Sequence, residues 1–452
     1  MSVLAHGIGG VRDLPVPESF FFTTAAVVLV VSFVLLGALW RRPVLARRSA
    51  GRASAALGAV AGSRSLRALV QALSVGLFAL TLAAAFFGTT TELLNFAPTF
   101  VYVAFWLGVP LLSVLLGDVW RVLSPWRALA DAAVWALERG GREARPLLEW
   151  PVRLGRYPAA VALFAFVALE LAHPRPAAPR TLGLAIALYT YWALAGMAVY
   201  GRDPWTRHGE GFAVAFGLLA RLAPLAVRDG RVVVRWPVTG LAGAERVRGT
   251  VVFVGVLLGS TSFDGFSRTS VWQDLVADVQ ADLAGSSQRT LDLVLTLVNV
   301  AGLAGFVALV VLTYAAAVWA AGALVDAPRS LRPDFVRSLV PIAFAYLVAH
   351  YFSLFVIQGQ FLAPLASDPL GKGWDLFGTA DVAPNLAVVS PETVWYVQVV
   401  SLVVGHVAGL AVAHDRAVEV FRERGDALRS QYPLLALMVL YTVGGLWLLS
   451  RG

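Results

Sequence analysis

The sequence predicts an all-α, polytopic transmembrane helical bundle that forms a single integral membrane domain over residues 1–452. Three observations carry this. Hydrophobic residues make up 58% of the chain and charged residues only 14%, whereas a soluble domain is about half apolar and about a quarter charged. The apolar residues fall in runs of about 20, the length that crosses a hydrocarbon core of about 30 Å. The loops between runs are Arg-rich and Arg-poor in turn, as expected of a chain that crosses repeatedly. The runs do not alternate as barrel strands would.

The net charge of +8 sits between the apolar runs, where topology demands it, so it is no nucleic-acid footprint. The expected partner is the lipid bilayer, with a small-molecule substrate as a further possibility. Arginine supplies nearly all the basic charge, Lys372 being the sole lysine, a bias of GC-rich bacterial genomes; a bacterial inner membrane is expected. With no cysteine, disulfides, thiolate metal sites and covalent haem are excluded.

In chain order, residues 1–19 form an outer N-terminal arm with Pro15, Pro17 and a solvated or ligating His6. They lack a charged n-region and a cleavage site, so no removable signal is expected. The first span, 20–40, leads into Arg41, Arg42, Arg47, Arg48, Arg52, Arg64 and Arg67. That loop is cytoplasmic by the positive-inside rule, which puts the N-terminus outside. Spans at 68–87 and 98–116 follow, with Glu92 and Asn95 in the outer loop between them. The cytoplasmic interfacial segment 117–156 holds a helix capped by Ser124 and begun by Pro125. Spans at 159–171 and 182–200 flank an outer turn with Glu170 and His173.

A second cytoplasmic interfacial segment covers 200–249. Within it, 212–227 is apolar but broken by Arg221 and Pro224, and reads as interfacial or re-entrant. Residues 227–235 form a small cytoplasmic β-hairpin around Asp229-Gly230. The sixth span, 250–263, reaches only about 21 Å at about 1.5 Å per residue. Its Gly255 and Gly259 let another helix approach closely.

The outer loop 260–290 begins with a turn at Asp264-Gly265. Ser270 and Gln273 form a capping box for an amphipathic helix carrying Val271, Leu275, Val276, Val279 and Leu283 on one face. Spans at 291–318 and 338–357 come next, then an outer loop, 358–392, long enough for a lid. Spans at 393–413 and 432–449 complete about ten.

No phosphate-binding loop, dinucleotide fingerprint, zinc-protease helix or nucleophile elbow is present, so constellations must carry the chemistry. His350 lies inside a span, where an ionisable group is costly and marks function by default. It is either a packing histidine or part of an outer polar pocket. As a site, His350 is ligand or general base, Asp264 its partner, and Arg268 the stabiliser of developing negative charge. The Asp264 and Arg268 pair is otherwise a plain loop ion pair. Gln358, Gln360, Trp272 and Asp375 are the candidate substrate contacts. A divalent metal would draw on His350, Glu92 and Glu170, with His173, Asp264 and Asp274 at the same boundary. Haem between His350 and His406 is disfavoured, since their depths differ by about 8 Å. Two alternatives stand beside hydrolysis. One is a secondary transporter or channel, in which midplane His406 relays protons beside short or broken helices. The other is an assembly subunit without chemistry.

Three stretches carry a resemblance: Phe263-Asp264-Gly265-Phe266-Ser267-Arg268-Thr269; His350-Tyr351-Phe352-Ser353 with Gln358-Gly359-Gln360; and Gly405-His406-Val407-Ala408-Gly409 with Ala413-His414-Asp415-Arg416. Together with Gly201-Arg202-Asp203-Pro204-Trp205, they resemble the actinobacterial-type polytopic membrane proteins called fenitrothion hydrolases, over most of the chain. The resemblance implies cleavage of an organophosphorus triester to a phenol and a dialkyl thiophosphate. It carries over no catalytic residue.

Overall fold

The structure, a computed structural model, describes residues 18–228, 230–325, 327 and 330–451. The N-terminal arm with His6, the turn residue Asp229, and Arg329 lie outside the described residues. Fourteen helices carry the argument. They are α1 (Glu18–Leu39), α2 (Arg64–Phe87), α3 (Phe96–Leu116), α4 (Pro125–Arg139), α5 (Tyr157–Ala172), α6 (Pro179–Tyr200) and α7 (Arg202–His208). After these come α8 (Gly211–Leu222), α9 (Thr250–Phe266), α10 (Ser270–Asp282), α11 (Gln288–Ala323), α12 (Leu339–Gln358), α13 (Pro391–Val420) and α14 (Tyr432–Arg451).

By length and apolar character, eight helices among the described residues can cross a membrane: α1, α2, α3, α6, α11, α13 and the helical stretches containing α12 and α14. A ninth arises if α9 and α10, bent by 76° at their junction, count together. The ten expected spans are these eight plus α5 and α9. Those two have 16 and 17 residues, hence only about 24–26 Å of helix at about 1.5 Å per residue. They are tolerable because neighbours surround them. Ala159, Ala160, Leu163 and Val167 of α5 are buried, as are Phe253, Val254 and Val256 of α9.

Glycines set the closest helix approaches. A Cβ on Gly259 would lie 2.7 Å from the Val307 Cα, and one on Gly255 2.5 Å from the Val311 Cγ2, so the expected small pair seats α9 on α11. Gly405 and Gly409 do the same for α13 on α12, where a Cβ would meet the Ala345 side chain and the Ser338 carbonyl.

The Arg-rich loops gather at one end. There the expected hairpin forms, β2 (Leu225–Arg228) antiparallel to β3 (Arg231–Val234), with Arg228 opposite Arg231. A third strand, β1 (Arg52–Ala53), comes from the first loop, giving the order β1-β3-β2. The segment before the hairpin is helical. It forms α8, whose Phe212, Val214, Phe216 and Leu219 are buried between α3 and α5. Its first N–H groups are capped by the buried Glu210 carboxylate, which accepts from Phe212 and Ala213 and also from Trp120 and Tyr189. Pro224 then ends the helix and releases the chain into β2.

At the sheet end, Asp334 pairs with Arg246 at 2.6 Å and with Arg416. Asp415 does not pair with the adjacent Arg416. It accepts from Val44 N (2.6 Å), Leu45 N (3.1 Å) and Trp40 Nε1 (3.0 Å), so it locks the start of the first loop to α13.

At the opposite end, residues 358–392 pack on the turn after α2, with Thr89 N donating to Leu370 O at 2.8 Å. This loop has a hydrogen-bonded scaffold of its own. Asp368 accepts from Lys372 N and Gly373 N, and the Ser367 hydroxyl accepts from Phe377 N and Thr379 N.

Candidate functional site

Three helices bring titratable side chains together near the end of the bundle away from the sheet. Asp264 stands near the C-terminus of α9, His350 and Tyr351 just past the middle of α12, and Glu170 near the end of α5. The Asp264-Gly265 step is not a turn, because α9 continues through it to Phe266. The carboxylate of Asp264 then sits one helical turn before Arg268, the spacing at which side chains meet on a helix face. Arg268 Nη2 reaches Asp264 Oδ1 at 3.3 Å. Tertiary pairing thus overrides the local turn preference of Asp-Gly.

The centre of the cluster is a 2.5 Å contact between His350 Nε2 and Asp264 Oδ2. Both side chains are buried, at 5% and 3% exposure. Arg268 Nη2 lies 3.5 Å from the same His350 nitrogen. The Tyr351 hydroxyl is within 3.4 Å of Asp264 Oδ2 and 3.3 Å of Glu170 Oε1, which places a phenol between two carboxyl groups. Among the described residues, the other oxygen, Glu170 Oε2, is buried without a hydrogen-bond partner, and so is Gln358 Oε1. A cavity of about 20 Å³ touches Glu170 and Tyr351, room for about one water molecule.

The hydrogen-bond pattern selects a tautomer. A proton on His350 Nε2 can be donated to Asp264, which leaves Nδ1 as the basic nitrogen. Arg268 keeps a positive charge beside a buried carboxylate, a pairing that makes burial of both tolerable.

The other expected residues go elsewhere. Gln358 is buried on the last turn of α12. Gln360 ties down the long loop, with Nε2 donating to Asn385 O and Oε1 accepting from Asn385 N. Asp375 is a strut of that loop: the Ala380 N–H donates to it at 3.0 Å and holds its carboxyl below the usual range. Trp272 donates to Asn299 Oδ1 at 3.1 Å and stacks edge-on against Phe263, so it anchors α10 to α9 and α11. The expected capping box is absent. Thr269 precedes α10 without a side-chain cap, and Gln273 donates to Ser267 O instead. Val271 and Leu275 of the expected apolar face are exposed.

Among the described residues, no three His, Asp or Glu side chains are grouped to hold a metal ion, so His350, Glu92 and Glu170 do not form the expected ligand set. His173 accepts from Arg175 N in its own turn. His406 is fully buried, with Nδ1 on the Leu402 carbonyl at 2.8 Å and its ring against Tyr346. Its Nε2 has no hydrogen-bond partner among the described residues. Tyr346 is one turn of α12 away from His350, so the two histidines sit at different levels.

Tyr351 is the residue that sequence reasoning missed. The signal available was a phenol next to the one histidine of that helix. No family model, curated protein or solved structure matches the chain, and what it does must be read from this geometry. By its long apolar helices the protein is a multi-pass integral membrane protein.

Proposed function

We propose that the protein is a membrane hydrolase of phosphoester-like substrates, with His350, Asp264 and Arg268 as its working groups. The observation that carries the reading is the 2.5 Å contact of His350 Nε2 with Asp264, whose other oxygen accepts from Arg268. Asp264 orients the imidazole, as an aspartate does for a catalytic histidine generally. His350 Nδ1 takes a proton from water, the hydroxide attacks phosphorus, and the P–O bond to a phenol-like leaving group breaks. The proton then passes from His350 to the departing oxygen. Arg268 stabilises the negative charge that builds on the phosphoryl oxygens. The resemblance to the fenitrothion hydrolase family supports the same substrate class.

The test is nitrophenol release from a nitrophenyl phosphotriester, by membranes holding wild type or His350→Ala at matched expression. Release that falls to background in the variant supports the reading. No release by folded wild type discards it.

A second reading rests on one specific observation. Glu170, Tyr351, Asp264 and His350 form a chain that ends in a buried unpartnered oxygen beside a water-sized cavity. Such a chain suits proton relay in a transporter. Glu170→Gln would then abolish proton-dependent flux in vesicles, whereas a hydrolase keeps most of its turnover. A subunit without chemistry predicts neither effect.

A further inference from the structure

Away from His350, two cavities lie back to back. The larger, about 860 Å³, is bounded by α2, α3, α5 and α6, and its lining is almost wholly apolar. Leu73, Leu77, Val161 and Leu188 line it and are also exposed on the flank of the bundle, so it opens sideways. In a bilayer that opening faces lipid chains. Along this wall α3 widens to i→i+5 hydrogen bonding over Phe100–Gly108, a geometry often found at functional sites.

The smaller cavity, about 320 Å³, is lined by Arg121, Arg127, Arg156, Arg207 and Arg221, against only Asp118 and Asp203. Among the described residues only Arg127 of these five has an ion pair, 2.7 Å from Asp203. Arg156 is 6% exposed. Its Nη1 donates to Thr250 Oγ1 at 3.1 Å, while its Nε is buried with no partner among the described residues. Burial, and then the charge of Arg221, push the Arg156 guanidinium down to about 10. A buried arginine with an orphaned donor, set among four more guanidinium groups at a partly open cavity, leaves the site short of an anion.

The two cavities meet at Trp120, which lines both. The segment after it serves both as well: Leu123, Pro125 and Trp126 face the apolar cavity, and Ser124 and Arg127 the charged one. Each volume is within the roughly 300–1,000 Å³ of ordinary ligand sites. We propose that the pair of cavities binds an anionic membrane lipid, its phosphate group among the arginines and an acyl chain in the apolar cavity. Arginine suits the phosphate through bidentate hydrogen bonds, and basic pockets between membrane helices are built to take such headgroups. This site stands independently of the hydrolase reading.

The test is native mass spectrometry of the full chain in detergent, titrated with dioleoyl phosphatidylglycerol or dioleoyl phosphatidylcholine. The expected result is at least tenfold tighter binding of the anionic lipid. Arg207→Gln, at an exposed and unpaired position, weakens phosphatidylglycerol by about tenfold and leaves phosphatidylcholine unchanged. Ala185→Trp, which fills the apolar cavity, weakens phosphatidylglycerol as well. Thermal unfolding confirms that each variant is folded, and Arg121→Gln replaces any that is not. Equal binding of the two lipids overturns the proposal. So does phosphatidylglycerol binding that survives Ala185→Trp yet is displaced by millimolar inorganic phosphate, because the site then takes a free anion and not a lipid.

Discussion

His350 and His414 stand on the paired helices α12 and α13, both are buried, and each has an aspartate as neighbour. Their surroundings differ. His414 has both ring nitrogens engaged, with Gln431 Oε1 at 3.0 Å and the Trp40 carbonyl at 2.9 Å. The adjacent Asp415 is turned to backbone N–H groups of the first loop. That cluster closes on itself and ties three distant segments together. His350 is engaged through Nε2, and its carboxylate partner is shared with an arginine and a phenol. Around it, Glu170 and Gln358 each bury an oxygen with no partner. Native proteins leave few such groups, and each calls for an explanation. The same pair of residue types thus makes a closed structural knot at the sheet end and, at the other, a cluster that keeps unsatisfied polar atoms beside it. What separates them is whether any hydrogen-bonding capacity remains.

Substitutions can break this contrast. The largest effect belongs to His350→Gln, which should lower turnover of a nitrophenyl phosphotriester by roughly 10²–10⁴-fold, the usual worth of a positioned acid or base. Its thermal midpoint in detergent should stay near wild type. His414→Ala should do the reverse, and equal loss of turnover in both would erase the distinction. Asp415→Ala should cost about 3 kcal/mol by denaturant unfolding in detergent, because buried backbone donors lose a charged acceptor. A variant as stable as wild type would show that water replaces the carboxylate.

Gly259→Leu comes next. It forces α9 away from Val307 and should cost about 1–3 kcal/mol, with turnover falling as Asp264 shifts. Unchanged turnover would show that the site does not depend on that helix contact. Tyr351→Phe should lower turnover less than tenfold, measured in the same assay. A total loss would promote the phenol from positioning to chemistry.

The smallest effect is at Asp203, whose carboxyl is held below its usual range chiefly by the Arg127 hydrogen bond. A depressed folded pKa means that its stabilisation is present above about pH 4 and fades as pH falls through the folded value. The group is well exposed, so Asp203→Asn should change stability by about 0–1 kcal/mol. That small difference should vanish in acid.

Much of the fold was legible because membrane insertion leaves long marks. Apolar runs and arginine loops marked every long helix, and Asp229-Gly230 marked the hairpin. The strand at Arg52–Ala53 was not legible, since two residues carry no periodicity. Neither was the helical state of Asp264, where a local turn preference competed with a partner 86 residues away. At the site, His350, Asp264, Arg268 and Glu170 were visible as ionisable groups at similar depth. Gln360, Trp272 and Asp375 were not separable from them, because sequence does not say which polar group is already satisfied by a neighbouring loop. The arginine cavity was hidden for a related reason. Its members read as ordinary topology signals scattered from Arg121 to Arg221.

The lock between Asp415 and the first loop has a consequence in time. Val44 is held by an acceptor 371 residues further along the chain. At roughly 5–20 residues per second, synthesis brings that acceptor some 20 to 70 seconds after Val44 emerges. The first two spans therefore enter the bilayer early, and although β1 of their connecting loop can pair with β3 once that strand is made, the start of the loop waits unfastened for α13. A nascent chain halted before Asp415 should show that loop open to protease, and the finished chain should not.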